Sequence, residues 1–188
     1  TELAISDTPD WSPARNSLNE IKTASIRAKE IVQQLLSFSR KTEQNKSPQD
    51  MSLLIKESVK LLRSSLSSNI QIFEYLPDTC GKVLADATQM HQVIINLCTN
   101  AAHALPETGG IIEITLKTRP IKESENLNLH ASENSDCLEL SIRDNGAGID
   151  PEIIGKIFDP YFTTKEIGKG TGMGLAVVHG IIKNHNGI

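Results

Sequence analysis

The chain has 188 residues, 38% of them hydrophobic, and a formal net charge of −4, which allows one ordinary domain plus an appendage. Lys and Arg are scattered, with no basic stripe or interleaved aromatics, so nucleic acid and an anionic membrane surface are excluded as natural partners. No run approaches the roughly 20 apolar residues of a membrane span, and Cys80, Cys98 and Cys137 are spaced too widely for a metal-ligand set, so reduced, mostly packed thiols in a cytosol are expected.

Residues 1–13 are polar and carry Pro9 and Pro13, which predicts a tail or inter-helix loop; the start, Thr1-Glu2-Leu3-Ala4, has neither initiator Met nor signal-peptide layout and reads as the edge of an excised fragment. From Leu18 to Phe38, apolar or small residues recur at Leu18, Ile21, Ser25, Ala28, Val32 and Leu35, predicting one long amphipathic helix. Its one-sided stripe needs partner helices, as in a bundle. The polar run Lys41 to Pro48 reads as a linker, dividing the chain into 1–48 and 49–188.

Beyond it the periodicity alternates. A helix is expected over about 50–66, a strand at Ile70 to Leu76, a helix over about 87–105, and a strand from Ile111 to Lys117 with Ile112, Ile114 and Leu116 on one face. Thr118 to Asp136 is polar and is expected to be a mobile connection. Leu138, Leu140 and Ile142 mark a further half-buried strand, Ile153 to Phe158 a short helix, and Thr171 to Lys183 the last helix. This is an α+β pattern: a two-layer sandwich with a mixed sheet covered on one face by helices.

Three short motifs carry the chemistry. Asp86 followed by Gln89 is a capping-box start for the helix holding Asn96, Asn100 and His103. At about 100° per residue these three share one shoulder beside the apolar stripe of Met90, Val93, Ile94, Leu97, Ala101 and Ala104. Neutral carboxamide oxygens there suit a magnesium ion already neutralised by phosphates, although asparagines at this spacing also serve plain helix packing. Asp144 ends a strand and precedes Gly146 and Gly148, so the backbone turns sharply. A carboxylate so placed accepts from an exocyclic amine such as adenine's; the same residues also make an ordinary hairpin turn. Gly168, Gly170, Gly172 and Gly174 alternate just before an apolar helix, the layout of a phosphate cradle at a helix N-terminus, and equally of a flexible connector. Between the last two motifs, Ile157 to Lys165 reads as a flap anchored by Phe158 and Phe162, with two threonines and Lys165 at its phosphate end.

In their order and spacing these elements, over about residues 49–188, resemble the catalytic and ATP-binding domain of sensor histidine kinases, within the superfamily that includes gyrase, heat-shock chaperone and mismatch-repair ATPases. The resemblance implies that Asn100 coordinates Mg²⁺, that Asp144 reads the adenine amine, that Gly148 lines the base pocket, and that the backbone of Gly170, Thr171, Gly172, Met173, Gly174 and Leu175 holds phosphates. Lys165 and His103 are expected near the triphosphate, with Asn96, Gly146, Ile149, Phe158 and Thr164 completing the nucleotide contacts. Asn96, Asn100 and Lys165 would then act on the transferring phosphoryl group. Hydrolytic superfamily members carry a Glu one turn before the metal asparagine, where this chain has Asn96, so water activation is disfavoured.

The run Ser25 to Arg40 resembles the second helix of the dimerisation and phosphoacceptor hairpin of these kinases. None of the five histidines is followed by the acidic residue expected after the acceptor, which puts the acceptor outside this chain. The final strand pair of the family pattern is also expected to lie beyond Ile188. The reading is a cytoplasmic ATP-binding catalytic core that uses Mg-ATP, dimerises through its N-terminal helix in the intact protein and passes phosphate to a response-regulator receiver domain. The rival readings are an ATPase of the same superfamily and a non-catalytic nucleotide-binding or dimerisation module.

Overall fold

The computed structural model describes residues 2–9, 11–22, 24–25, 45–78, 80–121, 136–165 and 170–188. The chain divides into two compact units, Thr1–Thr42 and Glu43–Ile188. In the first, α1 spans Glu2–Ser6 and a second helix, α2, runs through residues 13–22 and 24–25. The N-terminal residues are therefore not a plain tail. Arg15 ties the turn after α1 by donating from Nη1 to Ile5 O at 2.9 Å and Thr8 O at 2.5 Å, placing a cation at the carbonyls of the helix end. The part of the expected Leu18 to Phe38 helix beyond Ser25 lies outside the described residues, as does most of the expected linker.

The second unit begins with a ribbon that the polar character of the sequence concealed. Ser47–Gln49 is strand β1, antiparallel to β3, Val83–Ala85, and Pro48 faces Leu84. The expected linker therefore ends in a strand, and Pro48 is tolerated because each strand of a two-stranded ribbon has a free edge. Helix α3, Met51–Arg63, starts at Asp50, whose Oδ1 accepts from Ser52 N at 2.9 Å and Leu53 N at 3.3 Å. Its buried face is Met51, Leu54, Ile55, Val59 and Leu62. At its end Arg63 donates to Ile70 O at 3.0 Å and Ile72 O at 3.2 Å, occupying carbonyls of the outermost strand of the main sheet.

That sheet has the order β2-β4-β5, with β2 at Ile70–Tyr75, β4 at Gly110–Pro120 and β5 at Asp136–Asp144. β2 runs parallel to β4, and β4 antiparallel to β5, so the sheet is mixed. Ile70, Ile72, Ile112, Ile114 and Leu116 point into one core with α3, α4 (Ala87–Ala104) and α5 (Gly174–Asn184). Both long strands outrun the expectation: Thr118, Arg119 and Pro120 continue β4, and Asp136 already pairs with Pro120. Cross-strand charge holds this polar extension, since Glu139 accepts from Lys117 at 2.8 Å and also from Arg119. Those two bonds, Lys117's first, keep the half-buried Glu139 carboxyl below its ordinary range.

On α4 the buried stripe is Met90, Val93, Ile94, Cys98 and Ala101. It is centred on Cys98 where Leu97 was expected, because Leu97 and Ala104 are only partly covered. Burial pushes the Cys98 thiol up to about 12. The predicted helix over Ile153 to Phe158 is reduced to a 3₁₀ turn at Ile154–Lys156. The last helix begins at Gly174, three residues later than expected, since Gly172 at φ 65° interrupts a helical path from Thr171. It ends in a Schellman arrangement, with Asn186 at φ 55°, Gly187 N donating to Ile182 O at 2.8 Å and Asn186 N to Lys183 O at 3.0 Å.

Candidate functional site

The antiparallel pair α4 and α5 brings the first and third sequence motifs together. Asn96 Nδ2 donates to Gly174 O at 3.3 Å, and a Cβ built on Gly174 would lie 3.6 Å from Asn100 Nδ2 and 4.0 Å from Asn96 Cγ. The two carboxamides thus face the first turn of α5. Met173 gives that turn no side-chain cap, and its first ladder bond runs from Val177 N to Met173 O, 2.9 Å. The amides of Gly174, Leu175 and Ala176 therefore precede the ladder and stand at the positive end of the helix dipole.

One turn beyond Asn100 along the same shoulder, His103 meets the flap. Lys165 Nζ lies 2.9 Å from His103 Nδ1. An ammonium only donates, so Nδ1 accepts and the imidazole is the neutral Nε2–H tautomer. His103 is open to solvent on one side, but desolvation of the other, and then the Lys165 charge, hold it below its ordinary 6.5. Burial also holds Lys165 below 10.5. The two groups form a cationic corner short of its full charge. A Cβ on Gly170 would sit 2.9 Å from Lys165 Cδ and 3.2 Å from Thr163 Oγ1, so the glycine backbone packs directly on both.

The Asp144 loop closes the C-terminal end of α4, one residue beyond His103. Asp144 Oδ1 accepts from Gly146 N at 2.9 Å, an Asx turn, and Ala147 N donates to Ala104 O at 3.2 Å. A Cβ on Gly146 would come within 2.4 Å of Ala104 O, so only glycine lets the loop lie this close to the helix end. Gly148, at φ 75°, has open space around it, and Ile149 is exposed.

In the flap Phe158 is not a core plug. It is 46% exposed, its ring 5.2 Å from that of His179. The flap is fastened instead by Gly172, where a Cβ would lie 2.4 Å from Tyr161 C and 2.8 Å from Phe162 O. Tyr161 takes φ 67° at the third position of a turn closed by Phe162 N donating to Asp159 O at 3.2 Å. Gly168 and Lys169 of the third motif lie outside the described residues. Asn96, Asn100, His103, Lys165, Gly170 and Gly174 thus come together; Asp144, Gly146 and Gly148 sit at the C-terminal end of α4, and Thr164 is exposed.

Residues 85–188 match the family described as histidine kinase-, DNA gyrase B-, and HSP90-like ATPase. The chain belongs to this family. It carries the ATP-binding catalytic domain of a sensor histidine kinase. Sensor kinase CckA of Brucella abortus (strain 2308) is 35% identical over 100% of this chain and 20% of its own length. Sensor histidine kinase ZraS of Escherichia coli K12 is 33% identical over 94% of this chain and 35% of its own. Among solved structures, histidine kinase ThkA in complex with response regulator protein TrrA superposes with TM-score 0.67 and 25% identity, covering 96% of this chain and 47% of that one. The kinase domain thus spans about a third or less of the curated relatives above. Among its described residues no helix is long and apolar enough to cross a membrane.

Two contacts in the kinase domain had no specific signal in the sequence. Thr163 accepts from Lys165 N at 3.2 Å and lies against Gly170, although Thr164 was the threonine expected at the nucleotide. His185 accepts the backbone N–H of Asp86 across 99 residues, a contact with no local signature.

Proposed function

We propose that this domain binds Mg-ATP and moves its γ-phosphoryl to a histidine outside the chain, from which a response-regulator aspartate takes it. The observation that carries this reading is the convergence of two carboxamides, the Lys165–His103 corner and the uncapped first turn of α5 on one small volume. Uncapped amides and cations attract phosphate oxygens. The carboxamides of Asn96 and Asn100 are neutral oxygen donors, which fit a magnesium ion whose charge is balanced by phosphates; Asn100 is the proposed ligand. When bound, the ion supplies neutralisation of the charge that develops on the phosphoryl oxygens.

The chain's own groups then bind and orient. Asp144 is proposed to accept from the adenine amine through the carboxylate oxygen that Gly146 N leaves free, with Gly148 and Ile149 lining the base and Phe158 at its rim. Thr163 and Thr164, Lys165, His103 and the Gly170 to Leu175 backbone hold the triphosphate. Asn96 stands where a hydrolase needs a carboxylate base, so attack by water has no assistance from that position and the acceptor must be brought in. We also propose that α2 and the residues after it belong to a dimerisation hairpin, that the protein acts in the cytoplasm, and that a receiver domain is its partner, in line with ThkA having been crystallised with TrrA.

The test is phosphotransfer from γ-labelled ATP. The 188-residue chain alone should gain no acid-labile label, whereas an acceptor hairpin from its own parent, supplied in trans, should be labelled. Label on the isolated chain would contradict the external acceptor, and rapid ATP hydrolysis without any acceptor would favour an ATPase.

A further inference from the structure

The α4–α5 pair is bonded at both ends. At the site end Asn96 Nδ2 donates to Gly174 O, 3.3 Å. At the far end the His185 imidazole, on the C-cap of α5, reaches Ile181 O through Nδ1 at 2.8 Å and takes the N–H of Asp86 on Nε2 at 3.1 Å. A backbone N–H only donates, so Nε2 carries the lone pair and the ring is the neutral Nδ1–H tautomer. Ten residues separate Asp86 from Asn96 and eleven separate Gly174 from His185, about 15 Å and 16.5 Å of helix at 1.5 Å per residue. Two bonds at matched spans fix the register of the pair.

A second observation shows that this contact displaces a local alternative. In a capping box the residue at N3 accepts the N-cap N–H. Asp86 Oδ1 does accept from Gln89 N at 3.1 Å, but the reciprocal arm is missing: Gln89 Oε1 is buried with no hydrogen-bond partner among the described residues. The Asp86 N–H that Gln89 would take is given to His185. The fold leaves an orphaned oxygen in exchange for a bond between two helices. A third tie acts at the same corner, where Lys46 Nζ, one residue before β1, donates to Asn184 O at 2.6 Å.

We propose that His185 is a positioning residue of the kinase domain, clamping α5 against the start of α4 and thereby setting the separation of Asn96 and Asn100 from the amides of Gly174 to Ala176. The consequence for nucleotide rests on the Mg-ATP reading above. Apolar packing between the helices, from Val93, Ile94, Val177, Val178 and Ile181, is non-directional and tolerates slip of a fraction of an ångström. Phosphoryl transfer does not tolerate such slip. The directional bond supplies what packing lacks.

The experiment uses the full 188-residue chain in native, His185→Ala and His185→Gln forms, compared by amide NMR without nucleotide, by thermal unfolding, and by titration with Mg-ATP. In His185→Ala, Gln89 is free to complete its local cap, so the melting temperature should change little. The Asn96 side-chain amide and Gly174 backbone signals, about 15 Å away, should nevertheless move, and Mg-ATP affinity should fall on the order of three- to tenfold. Gln offers both an acceptor and a donor at this position, so His185→Gln should return both readouts toward native. Unmoved site signals in His185→Ala, or shifts spread evenly through core amides such as Ile112 and Ile114, would overturn the proposal. Moved site signals in a chain whose native form ignores Mg-ATP would support the clamp and contradict the nucleotide reading.

Discussion

Lys165 and His103 hold less positive charge in the free domain than two isolated side chains would. A triphosphate beside them favours their charged forms, so binding should draw protons in and tighten as pH falls from about 8 toward 6. Calorimetry in two buffers of different ionisation heat should report net uptake near pH 6.5, absent in a Lys165→Met, His103→Gln chain; equal uptake in that chain would remove these groups from the phosphate site. For folding the sign is opposite. His103 titrates below 6.5 when folded, so the unfolded chain takes its proton first; the stabilisation is complete above 6.5 and lost as pH falls below it. His103→Gln should therefore make the melting temperature decline less steeply between about pH 7 and 5.5. Cys98, fully buried with its thiol pushed up to about 12, should resist alkylation in the folded chain while the half-buried Cys80 and Cys137 react. Rapid labelling of Cys98 would mean that α4 opens.

Among the elements the flap is the most sensitive to a single atom. Gly172→Ala places a Cβ 2.4 Å from Tyr161 C at a φ of 65°, and should cost roughly 1–3 kcal/mol, expressed as faster hydrogen exchange at residues 159–165 with unchanged exchange in β4. Ile114→Ala, in the fully buried centre of β4, should cost about 2–5 kcal/mol and act globally. Alternation told the buried face of β4 and β5 because each strand has one covered side, and Asp86 announced its helix because a cap is a local bond; Asp50 caps α3 in the same way. The β1–β3 ribbon could not be told the same way, since three residues with a proline leave no period to detect. Thr118 to Pro120 read as loop for a related reason: cross-strand charge, not apolar alternation, holds them in the strand. The site residues were legible as three separate motifs, but that Lys165 would bond His103 across 62 positions depended on the tertiary fold.

At the scale of the whole molecule, the apolar pattern from Leu18 to Phe38 is the ground of the proposed dimerisation hairpin, so light scattering should report a dimer or larger species that becomes monomeric when residues 1–46 are deleted. A full-length chain that stays monomeric at high concentration would remove the dimerisation proposal. The central claim, that one ligand is read at two places by different chemistry, joins the Asp144 loop at one end of α4 to the carboxamides along it. It is tested most directly by calorimetric titration of ATP with and without Mg²⁺ into native, Asp144→Asn and Asn100→Ala chains. Asp144→Asn should weaken ATP sharply in both conditions, because an acceptor for the base amine is replaced, and Asn100→Ala should weaken chiefly the Mg²⁺-dependent part. Equal losses for both variants regardless of metal would contradict the account.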